Sequence, residues 1–276
     1  MKNTLLIALS LGVSVAATST MATTIDPEND RQQMVDYFKA KNPNITPAEY
    51  VNGAYIYSAD KMAQWEAAED FPPYLDAIDA GEELYTKDKA VFEKCFGSDV
   101  SKIRVKYPYF DETAKQVVTL EGDINKCRTD AGLKAYKWKK GPLAQVSAYL
   151  AYNARGQKID VKIESDAAKA AYAAGRDFFI KPRGQLNLSC AKCHTYNAGR
   201  LARSNTLSPS LGHVTHFPVF RAKWKALGTL HRRYEGCQKN MRAQPQKVQS
   251  EIFRNLEFYQ AYSSQGLEIN GPGYRE

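Results

Sequence analysis

Residues 190 to 194 read Cys190-Ala191-Lys192-Cys193-His194. Two thiols separated by two residues and followed at once by an imidazole form the attachment sequence of a c-type haem. The thiols reach the two vinyl groups and the imidazole becomes the proximal iron ligand. A zinc site would use the C-x-x-C pair as half of its ligands and would need a second pair nearby, and no C-x-x-C or H-x-x-x-H partner exists. A thioredoxin-like redox pair would need strand-rich surroundings that the flanking sequence lacks. The expectation is one covalently bound haem c, held through Cys190 and Cys193, with His194 on the iron.

The chain repeats itself around this motif. "YPYFDETAKQVVTLEGDINKC" (107–127) aligns with "FPVFRAKWKALGTLHRRYEGC" (217–237), matching Pro108 with Pro218, Phe110 with Phe220, Thr119 with Thr229 and Cys127 with Cys237 at a constant offset of 110. The same offset pairs Tyr149 with Tyr259, Gly156 with Gly266 and Ile159 with Ile269. Upstream, "DAGEELY" (79–85) resembles "AAGRDFF" (173–179), but the second copy has extra residues around "CAKCHTYNAGR". One constant offset over so long a stretch indicates a duplicated domain rather than a solenoid of short repeats.

Copy one has Cys95-Phe96-Gly97 where copy two has Cys193-His194, and Phe92 where the other thiol belongs, so it cannot hold a haem covalently. Cys95 and Cys127 correspond to an attachment thiol and to Cys237, positions that would face each other across a haem. Without a haem they are expected to form a disulfide, worth roughly 3–4 kcal/mol in the chain-entropy model; two free buried thiols are the alternative.

Candidates for the sixth iron ligand are His213, His216, His231, Cys237 and Met241. Methionine is the usual choice in electron carriers. The repeat favours Cys237, which is matched by Cys127, whereas Met241 is matched by Ala131. Cys237 is also the odd thiol of the chain, which in an exported protein suggests reactivity. Beside it the charge is reversed: Glu121, Gly122 and Asp123 of copy one are matched by His231, Arg232 and Arg233. Cationic neighbours favour a thiolate, and a guanidinium fork can hold a pair of sulfonate or thiosulfate oxygens; a merely solvated basic helix face is the alternative.

The elements that must position these groups read as helical. "AAKAAYAAGRDFF" is alanine-rich, "KVQSEIFRNLEFYQAY" carries Val248, Ile252, Leu256 and Tyr259 on one face, and no convincing period-two strand occurs. The fold class is mainly α, with two tandem cytochrome c-like domains from an internal duplication, the first without haem. The divisions are a signal peptide at 1–22, a helical extension at 23–70, the haem-less domain at 71–162 and the haem domain at 163–276.

The leader has one lysine, an apolar run and small residues near Ala22, the pattern of a cleaved secretory signal. No later segment approaches the roughly 18 apolar residues of a membrane helix, so no membrane insertion is expected. The chain of 276 residues is 43% hydrophobic, enough for folded cores, with a net charge of +8. Its lysines and arginines are spread along the chain and no nucleic-acid motif appears, so small anions or an acidic protein are the expected targets rather than nucleic acid.

Together, "CAKCH", "FPVFR", "TLHRRYEGC", "YPYFD" and "VTLEGDINKC" resemble the SoxA subunits of the SoxAX c-type cytochromes of periplasmic sulfur oxidation, in their single-haem form. The resemblance implies an L-cysteine S-thiosulfotransferase that joins thiosulfate oxidatively to a cysteine of the carrier protein SoxYZ. Electrons would leave through haem to SoxX, a monohaem cytochrome c that forms a heterodimer with SoxA. It further implies that Cys237 is the distal haem ligand and the catalytic sulfur, carried as a persulfide, and that Arg233 binds substrate. Relatives with a second haem carry a C-x-x-C-H in the first domain; this chain has none there. Two other readings stay open: a thiosulfate dehydrogenase forming tetrathionate, and an electron carrier ligated by Met241.

Overall fold

Asp26 accepts the backbone N–H groups of Glu28 and Asn29 and so caps α1 (Pro27–Lys41), the first helix of the computed structural model, which describes residues 25–275. The expected signal peptide, 1–22, lies outside the described residues. A 3₁₀ segment (Pro47–Tyr57) and α2 (Ala59–Asp70) complete the N-terminal extension. Copy one follows as α3 (Leu75–Lys87), α4 (Lys89–Phe96), β1 (Tyr109–Asp111), β2 (Gln116–Val118), α5 (Leu120–Asp130) and α6 (Pro142–Asn153). Copy two is α7 (Asp166–Ile180), a π-helical turn (Lys192–Tyr196), β3 (Leu201–Ala202), β4 (Asn205–Thr206), β5 (Val219–Arg221), β6 (Ala226–Gly228), α8 (Leu230–Asn240), α9 (Glu251–Ser263) and β7 (Gly273–Arg275). Among the described residues no helix is long and apolar enough to cross a membrane.

The 110-residue offset holds in three dimensions. β1, β2 and α5 recur at that offset as β5, β6 and α8, with the same residue counts. Peptide bonds Tyr107–Pro108 and Phe217–Pro218 are both cis, and Lys115 and Lys225 turn their hairpins with φ of 50° and 49°. The helix pairs that frame each copy cross so closely that only glycine fits. A Cβ on Gly81 would stand 2.2 Å from the carbonyl oxygen of Gln145, and one on Gly175 would stand 2.0 Å from that of Asn255, the residue matched to Gln145. The copies face each other about a pseudo-twofold axis. Gly156 N–H donates to Ile269 O (2.9 Å) while Gly266 N–H donates to Ile159 O (3.0 Å), on either side of an antiparallel bridge between Lys158 and Glu268.

The strands depart from the sequence expectation. Each is two or three residues long, too short to show a period of two, yet β1–β2 and the three-stranded β6-β5-β7 sheet lead the chain into α5 and α8. In the second sheet β7 runs parallel to β5 and sets Arg275 beside Arg221. Helix α9 starts after Ser250, whose hydroxyl accepts Phe253 N–H, so Val248 lies before it.

The core of copy one is filled by aromatic rings. Phe92 is fully buried and stacks on Tyr85 (5.1 Å) and Phe96 (6.1 Å), and Phe96 meets Tyr107 edge-on. Such rings bury large apolar areas.

Candidate active site

His194 sits in the π-helical turn that follows the two thiols. Its Nδ1–H donates to the carbonyl of Ser208 at 2.8 Å, which orients the ring and leaves Nε2 as the nitrogen available to a metal. Ser208 is itself held by a relay. Tyr234 OH donates to Gln260 Oε1, which turns the Gln260 amide toward His213 Nδ1 (2.9 Å), and His213 Nε2 meets Ser208 Oγ at 3.0 Å. Burial, and then the nearby charges of His194, Arg233 and Arg275, push the His213 imidazole well below its usual range, so it is neutral. From the extension, Lys41 Nζ donates to the carbonyls of Thr195 and Tyr196, both at 3.0 Å, and so clamps the turn just beyond His194.

Cys237, on the last turns of α8, is half-buried and within hydrogen-bonding reach of His194. Burial opposes its ionisation. Arg233, then His194 by hydrogen bond and charge, then Arg221 outweigh that cost and bring the thiol down to about 7. Arg233 stands four residues earlier on the same helix, hence on the same face. Cys190 and Cys193 lie near Cys237. Burial and then the charge of Cys237 raise both thiols, Cys190 to about 12.

The remaining ligand candidates are engaged elsewhere. His213 has both nitrogens committed to the relay. His216 is buried, and burial followed by the Arg275 charge pushes it well below its usual range. His231 accepts Gln249 N–H on Nδ1 at 3.1 Å, so its proton sits on Nε2, 3.1 Å from Glu257 Oε2 though outside hydrogen-bond geometry. Met241 is the buried C-cap residue of α8, and its carbonyl accepts Leu186 N–H. Thus the structure gathers Cys190, Cys193, His194 and Arg233 around Cys237. These residues fit a haem c: two thiols at the attachment spacing, an imidazole with its far nitrogen already bonded, and a sulfur opposite that imidazole.

In copy one, Cys95 and Cys127 are joined as a disulfide with Cα atoms 6.2 Å apart. Cys127 is matched to Cys237, so a sulfur–sulfur bond occupies the place of the sulfur facing His194.

Sequence reasoning missed Arg221 and Arg275. Arg221 lies near enough to Cys237 and Arg233 that burial, and then repulsion from Arg233, lower its own pKa to about 10. Arg275 stacks on Tyr55 at 4.8 Å and contributes to the positive surroundings of His213. The signal for Arg221 was readable: it is matched by Asp111, a charge reversal of the kind seen at Arg233 and Asp123.

A family model described as SoxA/TsdA, cytochrome c domain, matches residues 80–159 and 174–269, one segment in each copy. The chain is 45% identical over 287 aligned residues, spanning all of both chains, to the L-cysteine S-thiosulfotransferase subunit SoxA of Chlorobaculum tepidum. It is 43% identical to the subunit of the same name from Allochromatium vinosum, across 92% of each chain. The crystal structure of SoxXA from P. pantotrophus superposes with a TM-score of 0.70 at 26% identity, covering 78% of this chain and 84% of that one.

Proposed function

This chain belongs to the SoxA/TsdA cytochrome c family, and from that premise we propose that it is the thiosulfate-conjugating subunit of an L-cysteine S-thiosulfotransferase. Its substrates are thiosulfate and a cysteine on a SoxYZ-type carrier protein, and its partner is a SoxX-type monohaem cytochrome. A carrier thiol and the thiosulfate dianion form one sulfur–sulfur bond, and one proton and two electrons leave. A haem c, when bound, supplies the outlet for those electrons toward the partner cytochrome. Cys190 and Cys193 would hold that group covalently and His194 and Cys237 would be the residues to bind its iron, with one haem per chain, in copy two.

The single observation that carries the reading is Cys237 facing His194 with Arg233 one turn away. Cys237 is the reacting sulfur: its thiolate bonds the outer sulfur of thiosulfate as the two electrons leave, and the carrier thiolate then takes that sulfur with its sulfonate and frees Cys237. Bringing a dianion to an anionic sulfur costs like-charge repulsion, which Arg233 offsets while its fork orients the sulfonate oxygens. The Ser208 carbonyl holds the His194 ring in orientation, and Lys41 keeps the turn in place. In copy one the Cys95–Cys127 disulfide and the aromatic core take over the structural contribution of a haem. The site of action is the periplasm, reached through cleavage of the signal peptide near Ala22.

The test is to incubate the enzyme with thiosulfate, carrier and monohaem partner and to follow the intact mass of the carrier. Addition of one thiosulfate to the carrier cysteine is expected. Tetrathionate formed at full rate without carrier would replace this reading with a thiosulfate dehydrogenase.

A further inference from the structure

The two copies offer an internal control on charge. Residues 107–140 hold seven lysines and arginines and five acids, whereas 217–250, matched to them at the offset of 110, holds eight lysines and arginines and a single acid, Glu235. Basic residues are therefore spread evenly, and the asymmetry lies in the acids. Both stretches build the same strands and helix, so the fold does not demand the difference. It attaches to the copy that carries Cys237.

The structure removes even the one acid from the outer face. Glu235 is turned to copy one, where Lys139 Nζ pairs with it at 2.8 Å. Around the pocket the surplus charge is exposed. Lys223 and Lys225 lie in the turn joining β5 to β6, beside Arg221, and Lys239 and Arg242 lie at the end of α8 that bears Cys237. Arg232 stacks on Trp224 at 4.0 Å, tying that turn to the helix. The matched residues of copy one are Thr113 for Lys223 and Thr129 for Lys239.

A cluster of exposed basic residues in a segment almost without acids attracts anions over about a Debye length and speeds encounter with a complementary surface. A thiosulfate ion needs one or two cations at the sulfur, and Arg233 and Arg221 already stand there. Charge spread over an exposed turn and an exposed helix end fits a much larger anion. We propose that the basic surface of copy two formed by the β5–β6 turn and the C-terminal end of α8 is the docking surface for a carrier protein with an acidic face that delivers its cysteine to Cys237. This rests on the reading of Cys237 as the sulfur that the carrier must reach.

The test uses the full-length holoenzyme and the carrier with its cysteine alkylated, so that binding is read apart from turnover. The double variant Lys223→Glu/Lys239→Glu is expected to weaken carrier binding by calorimetry by about tenfold or more, as charge reversal at a steered interface does. Wild-type binding should weaken steeply with added salt, and the variant should lose most of that dependence. The haem spectrum, the KM for thiosulfate and binding of the monohaem partner should stay unchanged. The matched variant in copy one, Thr113→Glu/Thr129→Glu, should bind carrier as the wild type does. Unchanged carrier binding in Lys223→Glu/Lys239→Glu would overturn the proposal. A loss of monohaem-partner binding alone would assign the face to that partner, and a higher KM for thiosulfate alone would make it a small-anion funnel; either overturns it. Failure of carrier turnover in the wild type would count against the enzymatic reading, and the binding measurement would still decide the docking surface.

Discussion

Arg233 and Cys237 lie one turn apart on the same face of α8, with the guanidinium the first of the groups that hold the thiol down to about 7 against its burial. A charge-assisted hydrogen bond from the Arg233 guanidinium to the sulfonate oxygens of bound thiosulfate would contribute about 1.5–3 kcal/mol. Arg233→Ala should therefore lower kcat/KM for thiosulfate roughly 10- to 150-fold, mainly through KM, with the haem spectrum little changed. Arg233→Lys should recover only part of the loss because it keeps charge without the planar fork. Steady-state kinetics at several thiosulfate concentrations check both.

The Cys95–Cys127 disulfide closes a sequence separation of 32 residues. Cys95→Ser/Cys127→Ser should cost about 3–4 kcal/mol of stability in the chain-entropy model. Thermal unfolding should show a lower Tm while the visible spectrum of the haem domain keeps its position.

Gly81→Ala and Gly175→Ala each drive a methyl into a backbone carbonyl, at 2.2 and 2.0 Å. Backbone cannot swing aside as a flexible side chain would, so each helix pair must separate. A loss of at least about 1–3 kcal/mol is expected for either variant, by denaturant unfolding. Only Gly175→Ala should also disturb the haem spectrum, because α7 and α9 frame the haem copy.

The interface between the copies contains a pH-sensitive group. Glu121 is buried, accepts Ser147 Oγ–H at 2.8 Å, and has its pKa raised by burial and then by the nearby Glu257 carboxylate. A raised folded-state pKa means that the folded protein holds a proton the unfolded chain releases above its ordinary carboxyl range. Stability is therefore expected to fall as pH rises from about 5 toward neutrality, and Glu121→Gln should flatten that slope. Tm measured against pH for the two proteins gives the comparison.

How much of this was legible in the sequence depends on the range of the interactions involved. The gathering of Cys190, Cys193, His194 and Cys237 was, because C-x-x-C-H is local and the offset of 110 carries Cys127 onto Cys237. The helical pairs were, because their apolar and small residues recur at helical spacing. The short strands were not, since two or three residues cannot display alternation. Nor was the relay through Ser208, His213 and Gln260, which exists only because the 208–213 loop folds back onto His194. Lys41 was equally hidden: nothing in "DRQQMVDYFKAK" tells that it will reach the carbonyls of Thr195 and Tyr196. Arg221 could have been found by asking which acids of copy one become bases in copy two.

Cofactor stoichiometry follows from the same local rule. Pyridine haemochrome assay together with intact mass should give one haem per chain, and tryptic mapping should place it on the peptide with Cys190 and Cys193. Two haems would contradict the filled aromatic core of copy one.

The central claim is that Cys237 is the reacting sulfur, and carrier-dependent thiosulfate turnover by Cys237→Ser with haem still attached tests it most directly. The account predicts that turnover is abolished and that the haem spectrum shifts, while Met241→Leu leaves both nearly unchanged. Full turnover by Cys237→Ser, with the spectral change appearing instead in Met241→Leu, would contradict it.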